Sequence, residues 1–405
     1  MTIERDRLSR FSIFKHDILQ FLQTYFVYLM PSAFIIYLVL ESYQIDFRPY
    51  YVAGKSVLYG LDPYVNHVTQ HPDFFTPVNA GESPTSGFIY LPFAALLFAP
   101  FAAFPYSTAK IIYSSLILVV LWLLFFELVR HSQFKIKGET LLFSITSFPV
   151  YAAFERGQID ILVCYLTILG FLLYQRHRQS FLPGFLFGLA FCIKLFPAIA
   201  ILYFLAKRQF KVVFYALSAI AVLLIAPLPI LGNSIYTSYL KRMLPGVFGE
   251  ITSSVPITVH GQSVINRVVM SVDSNGLRVT HDFVHGFMNP FLRGNPIASL
   301  TVGLIAFLIL LYYLRREPAE HQFFSIVNCI HLFNPQTWIM GLVWYIPLFV
   351  YLFGQANHLG KFVLILPLFI PPFTNSNGML AYAIALLFAV PQIREKLMLK
   401  TAPQR

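Results

Sequence analysis

Apolar runs long enough to cross a bilayer recur along almost the whole chain, and they constrain its architecture before any motif is read. Inside hydrocarbon no water is available to satisfy backbone N–H and C=O groups, so each run must satisfy its own. Runs of roughly 17–25 residues do so as helices. They fall at Phe21–Leu40, Lys110–Val129, Thr140–Phe154, Ile161–Tyr174, Val212–Leu231, Ile297–Leu314, Phe323–Phe333, Trp338–Phe353, Phe362–Phe373 and Met379–Val390. Two more, Phe88–Phe104 and Phe181–Ala206, are interrupted by prolines. The expectation is an all-α polytopic integral membrane protein of about ten to twelve membrane segments. It forms a single domain over residues 1–405, with no internal repeat or low-complexity linker. Composition agrees, since 12% of residues are charged against roughly 25% in an average soluble domain, and mean hydropathy is +0.66.

Short basic connections set the orientation, because lysine and arginine are retained on the cytoplasmic side. Arg5, Arg7, Arg10 and Lys15 precede the first run. Lys135 and Lys137, Arg176 and Arg178, Lys207, Arg208 and Lys211, Arg315 and Arg316, and Arg394, Lys396 and Lys400 follow later ones. With all of these inside, both termini are cytoplasmic and two loops face outward, Glu41–Gly87 and Gly232–Asn295. The net charge of +11 then marks the inner face of a multi-pass plasma-membrane protein surrounded by membrane lipids, and no nucleic-acid partner is expected. Parity singles out two segments. Between Gly87 and Lys135 two runs stand where one crossing fits, so Phe88–Phe104, with Pro92 and Pro100, reads as a re-entrant or broken helix. Phe181–Ala206 has basic clusters on both sides, so it enters and returns, with its interruption at "CIKLFP". Irregular backbone at that depth must be buried in protein or line a wet cavity.

Cys164, Cys192 and Cys329 all lie in apolar runs without metal or redox spacing and read as small buried hydrophobes. The stretch "MTIERDRLSRFSIFKHD" precedes a run with no small-residue cleavage site, which reads as a retained cytoplasmic tail. His67, His71 and Asp73 sit in a proline-bearing loop without regular spacing, so no metal site is expected. No Walker or glycine-rich dinucleotide motif is present, which argues against a bound nucleotide, and no cofactor is expected.

Polar chemistry concentrates in the outer loops, and the first of them opens with "QIDFRPYYVAGKSVLYGLDPY", Gln44 to Tyr64. Asp46 lies just beyond the first run, and Pro49 suits the start of a helix because it has no N–H to leave unsatisfied. Tyr50, Ala53, Val57, Leu58 and Leu61 recur at helical spacing, with Lys55, Ser56 and Tyr59 opposite. Such a helix lies along the membrane surface, ended by Gly60 and a turn at Asp62-Pro63. From the residues alone, Asp46 is either a helix cap or a catalytic acid.

This stretch resembles the first-loop signature of glycosyltransferase family 87, of the GT-C superfamily, membrane enzymes that use polyprenyl-phosphate sugars and include α-mannosyltransferases. Further segments match in order. "FIYLPFAALLFAPFAAFP" is similar to a Tyr-Pro-Pro-Leu-like segment with Leu91 in place of its first proline, and "RGQIDIL" to a Gly-Gln-Asn stretch with Asp160 near the usual Asn. "GLAFCIKLFPA", "HGQSVINRV" and "FNPQTW" resemble its Lys-x-x-Pro, Asn-Gln-Ser-Leu…Arg and Ser-Pro-x-x-Trp segments. The family often carries an acid and a histidine after that tryptophan; here the chain reads Trp338-Ile339-Met340-Gly341. The resemblance implies a GT-C-like bundle and a metal-independent hexosyltransferase. It moves a hexosyl unit, mannosyl first, from a polyprenyl-phosphate sugar donor to a lipid or glycan acceptor at the outer face.

That reaction needs a base for the acceptor hydroxyl, positive charge for the departing phosphate and a pocket for the lipid. Loop position and resemblance together make Asp46 the base, since a single inverting displacement needs one carboxylate on the acceptor side. Lys194, inside an apolar segment, is the first candidate for the donor phosphate, although a lysine near a half-helix end can also snorkel to water. Arg267 is the second, because guanidinium suits bidentate phosphate contact; a solvated loop arginine is the alternative. Tyr50, Gln158, His260 and Gln262 are candidates to hold substrate through hydrogen bonds. Arg156 and Asp160, four apart, read as cavity-facing residues or a helix-face ion pair, and Lys241-Arg242 as a seat for lipid phosphate or plain surface charge. The main rival is a polytopic transporter or lipid flippase with Lys194 at a midplane site. An O-antigen-ligase-like enzyme is a further one.

Overall fold

The computed structural model describes residues 29–42, 44, 46–67, 70–71, 74, 86–131, 138–242, 287–288, 296–333, 336–337, 339–369 and 377–399. Helices make up nearly all of it. In order they are α1 (Leu29–Glu41), α2 (Phe47–Leu58), α3 (Pro92–Ala102), α4 (Tyr106–His131), α5 (Gly138–Ile145), α6 (Phe148–Arg156) and α7 (Asp160–His177). Then come α8 (Phe181–Ile193), α9 (Ala198–Ala206), α10 (Phe210–Ile225), α11 (Leu228–Leu231), α12 (Ser234–Arg242) and α13 (Pro296–Tyr313). The chain closes with α14 (Ala319–Ile326), α15 (Ile330–Phe333), α16 (Ile346–Phe353), α17 (His358–Phe369), α18 (Asn377–Ala389) and α19 (Pro391–Leu397). Short 3-10 stretches lie at Val327–Cys329 and Ile339–Tyr345, and one antiparallel pairing joins Phe287–Met288 to Gln336–Thr337. This is the all-α polytopic membrane architecture the apolar runs demand.

Among the described residues, two helices are long and apolar enough to cross a bilayer unaided, Tyr106–His131 and Phe210–Leu231. Both leave large apolar side chains exposed, Leu116, Val119 and Phe126 on one and Phe214, Val222 and Ile225 on the other, faces suited to lipid. Other expected spans are shorter or broken. Thr140–Phe154 divides into α5 and α6 at Thr146 and Ser147, with Pro149 in the first turn of α6, where its missing N–H costs nothing. Phe323–Phe333 passes through 3-10 geometry, and the described part of Trp338–Phe353 has it at Ile339–Tyr345.

The molecule has two chemically distinct ends, separated by the length of α4, about 39 Å for its 26 residues at 1.5 Å each. At one end the basic connections are tied by ion pairs: Arg176 to Glu127 at 2.6 Å, His131 to Glu320 at 3.0 Å, Lys361 to Glu139 at 3.1 Å and Arg394 to Glu317. At the other, α4 begins beside α1, where Lys110 Nζ donates to the Ser42 carbonyl at 2.8 Å and Tyr106 donates to that of Gln44 at 3.1 Å. Both parity expectations hold. Between Gly87 and the basic end only α4 crosses, because α3 begins beside Tyr90 and finishes where Tyr51 donates to the Phe104 carbonyl at 2.8 Å, both at the Asp46 end. The α8–α9 segment leaves the basic end and comes back to it, where Tyr174 donates to Gln209 at 2.6 Å.

The helix at Phe47–Leu58 departs from its expected form. Tyr50 and Ala53 are buried as the spacing requires, but so are Tyr51, Val52, Gly54 and Ser56, while Leu58 is exposed. The cause is α3, which packs so closely that a Cβ on Gly54 would lie 2.5 Å from the Phe98 carbonyl oxygen. This helix is therefore seated in protein on most of its circumference. It also starts two residues ahead of Pro49, at Phe47.

Candidate active site

The chain leaves α1 through Gln44, a non-glycine residue with φ 54°. Its side chain holds that conformation, with Nε2 donating to Ser114 Oγ at 2.7 Å and to the Phe154 carbonyl at 2.8 Å. Two residues on, Asp46 N–H donates to the Arg156 carbonyl at 2.9 Å, which fixes the start of α2 against the end of α6. Asp46 occupies the N-cap position but makes no side-chain capping hydrogen bond. Its carboxylate turns to another task. Arg156 Nε donates to Oδ2 at 2.6 Å and Nη2 to Oδ1 at 3.0 Å, while Gln158 Nε2 donates to Oδ2 at 2.9 Å. A carboxylate offers about four lone-pair sites, so Oδ1 keeps one open, and the side chain remains 21% exposed.

Arg156 and Gln158 straddle Gly157, and this glycine makes their convergence possible. It ends α6 in the left-handed region at φ 72°, which costs other residues roughly 1–2 kcal/mol. A Cβ there would also lie 2.7 Å from Phe47 Cβ and 3.1 Å from Gln44 Cβ. Sharp reversal and close approach together put both side chains on Asp46. The turn also separates Arg156, at the end of α6, from Asp160, at the start of α7, so the two are not four apart on one helix face.

From Gln158 the polar contacts continue inward. Tyr50 donates to Gln158 Oε1 at 3.3 Å and shares a 2.6 Å hydrogen bond with Tyr90. Burial raises the pKa of both phenols, so each stays a neutral donor and acceptor. Lys194 reaches the same place, its ammonium 6.0 Å from the Tyr90 ring centroid and 4.9 Å from that of Phe196. At 2.8 Å it donates to Asp160 Oδ2, whose other oxygen faces Trp344 Nε1 at 3.5 Å. Lys194 stands where α8 stops in extended backbone, four residues before α9. Asp46, Tyr50, Gln158 and Lys194 thus belong to one connected polar cluster set in an aromatic and apolar frame.

Arg267, His260 and Gln262 lie outside the described residues, as does Trp338. His67 hydrogen-bonds the Asp62 carbonyl at 2.8 Å and the His71 ring stacks on Phe74 at 4.9 Å. Among the described residues no group of His, Cys, Asp and Glu could hold a metal ion. Lys241 and Arg242 end α12, which packs beside the stretch that follows α2: Ser238 donates to Asp62, and the Tyr64 and Tyr239 rings lie 5.6 Å apart. The described parts of residues 41–87 and residues 232–242 therefore share the Asp46 end. Sequence reasoning missed Tyr90 and Trp344 as members of the cluster. Their signal was available only as aromatic residues with a polar atom, which the chain has in abundance.

A membrane glycosyltransferase is the class that this helical bundle and the comparison with known proteins define. The profile of glycosyltransferase family 87 matches residues 88–335, more than half of the chain, and the chain belongs to that family. It is also similar to the polyprenol-phosphate-mannose-dependent alpha-(1-2)-phosphatidylinositol pentamannoside mannosyltransferase of Mycolicibacterium smegmatis. Identity is 26% over 326 residues, covering 75% of this chain and 68% of that protein. The family match starts beyond Asp46, so the role of that residue rests on its geometry and on the first-loop resemblance.

Proposed function

We propose that the protein is a hexosyltransferase that moves a mannosyl unit from a polyprenyl-phosphate donor to a hydroxyl of a lipid or glycan acceptor. The reaction takes place at the outer face of a plasma membrane, in a GT-C-like bundle whose basic connections are cytoplasmic. The observation that carries this reading is the pairing of an oriented, partly open carboxylate with an ammonium in one cluster, at the end opposite the basic connections. The donor and acceptor in the name of the mycobacterial relative support the donor and the glycolipid class of acceptor.

In this reading the acceptor hydroxyl donates to the open lone pair of Asp46 Oδ1 and gives up its proton there as its oxygen bonds the anomeric carbon. The bond from that carbon to the phosphate oxygen breaks, and its electron pair stays on the phosphate. Lys194 uses one N–H on Asp160, leaving donors for the growing phosphate charge. Arg267 is the second cation proposed for that phosphate. Arg156 orients the base, and Gln158, Tyr50, His260 and Gln262 hold sugar or phosphate oxygens. No metal ion or cofactor enters any step.

The test is transfer by purified protein in liposomes, with radiolabelled polyprenyl-phosphate sugars, mannose first, and membrane lipid extract as acceptor. Wild type is expected to label lipid, and Asp46→Asn to lose at least about a hundredfold at unchanged donor binding. Undiminished transfer by Asp46→Asn would remove Asp46 from the base role. Movement of lipid or solute without transfer would favour a transporter.

A further inference from the structure

A second polar feature lies well apart from this cluster. It begins at the basic end, on α14, and rises through the 3-10 stretch Val327–Cys329 into α15. His321, Ser325 and Asn328 follow one another at four and three residues, the spacing of one helix face, with Gln322 and His331 flanking them. All are buried, at 3%, 0%, 0%, 6% and 2% exposure respectively. Their surroundings are apolar and aromatic: Phe323 and Phe324 belong to the same turn, and the Tyr351 ring lies 5.9 Å from that of His321. None of these side chains has a part in the reaction proposed above.

Each carries a polar atom with no hydrogen-bond partner in the protein. Gln322 spends its amide N–H on the Glu317 carbonyl and Asn328 on that of Phe324, leaving Gln322 Oε1 and Asn328 Oδ1 over. Ser325 Oγ, His321 Nε2 and both ring nitrogens of His331 are likewise unpartnered. Leaving one such group dry costs roughly 1–3 kcal/mol, and a run of them on one segment is far from the usual interior, where buried polar groups are paired. The α-helix gives way to 3-10 at Val327, beside the Asn328 amide that donates to the Phe324 carbonyl and so enters the helical ladder.

We propose that this segment binds a file of ordered water molecules, entering from the ion-paired end at Glu317 and reaching His331, which lies about 15 Å beyond His321 along the helix at 1.5 Å per residue. Water is the ligand that fits, because the unpartnered atoms mix acceptors with groups that both donate and accept, and no net charge calls for an ion. The file makes this segment a hydrated seam inside the bundle.

Radiolytic hydroxyl labelling of the full-length protein in liposomes, read by mass spectrometry, tests this, since radicals form from water held against the residue. His331 is expected to oxidise at least about tenfold faster than Phe323, which is equally buried on the same segment but apolar. Asn328→Leu, which fills the file, is expected to bring His331 down to the Phe323 rate. Equal rates in the wild-type protein would overturn the proposal. So would fast labelling that survives Asn328→Leu, because the water would then reach His331 by another route.

Discussion

Gly157→Ala adds one methyl group and no charge, yet it should cripple the site. The residue sits at φ 72°, where a side chain costs roughly 1–2 kcal/mol. The new carbon would also stand 2.7 Å from Phe47 Cβ, about 1 Å short of an ordinary carbon contact. Something must yield by that amount, and the choices are few. Phe47 is fully buried and stacked on Tyr113 at 4.6 Å, and Gln44 is held by its two side-chain hydrogen bonds. The turn itself must therefore move, carrying Arg156 and Gln158 away from Asp46. A displacement of about 1 Å at a positioned group is worth on the order of 10²-fold in rate. The assay is transfer from labelled polyprenyl-phosphate mannose in liposomes, with kcat and donor KM measured separately. A fall in kcat of about a hundredfold is expected. Gly60→Ala is the control, because it shares the left-handed backbone at φ 67° but a Cβ there meets nothing within 4 Å. It should keep nearly full activity. Wild-type kcat in Gly157→Ala, or equal losses in both variants, would refute the steric reasoning.

Arg156→Lys keeps the charge but loses the two-pronged grip on Asp46, so kcat should fall by about tenfold with donor KM little changed, as steady-state kinetics can resolve. Lys194→Gln removes the ammonium proposed for the donor phosphate and leaves Asp160 without its cation; donor binding measured by titration should weaken by at least about tenfold. At the opposite end His321 and Arg394, against partial burial, hold the Glu317 carboxyl down from 4.5 to about 2. Its folded pKa is depressed, so the stability it contributes is complete above about 4.5 and is lost as pH falls towards 2. Thermal unfolding in detergent should show that loss in wild type, and Glu317→Gln should lack this component of the pH dependence.

The helical bundle could be read from the apolar runs because bilayer thickness and backbone hydrogen bonding leave no other solution. The turning back of Phe181–Ala206 followed from charge alone, since basic residues flank it on both sides and Lys194 and Pro197 mark the break. The division of α5 from α6 was not visible, because Thr146 and Ser147 interrupt the run with nothing more polar than hydroxyls. Asp46 was identifiable as a candidate by its position outside the first run. Its partner was not, because Arg156 lies 110 residues away and pairs through a turn that a local reading treats as a helix face. Asp160 and Lys194 were each noticed, but only packing of α7 against α8 reveals that they belong together. Sequence periodicity reports which face is apolar, not which distant helix will cover it. For the same reason it misplaced the exposed side of α2.

The contact of Gly54 with the Phe98 backbone has a consequence for how such a chain can diversify. It joins α2 to α3 with almost no space between them, so the two ends of the segment from Tyr59 to Leu91 are fixed relative to one another and to Asp46. Lengthening a loop between fixed ends costs little, about 0.6 kcal/mol for each doubling. Selection can therefore change the length of the stretch between Phe74 and Ser86 without moving Asp46, whereas Tyr64 and Tyr90, tied to each other and to Tyr50, must stay. Loop length and the placing of the base thereby become separately heritable traits.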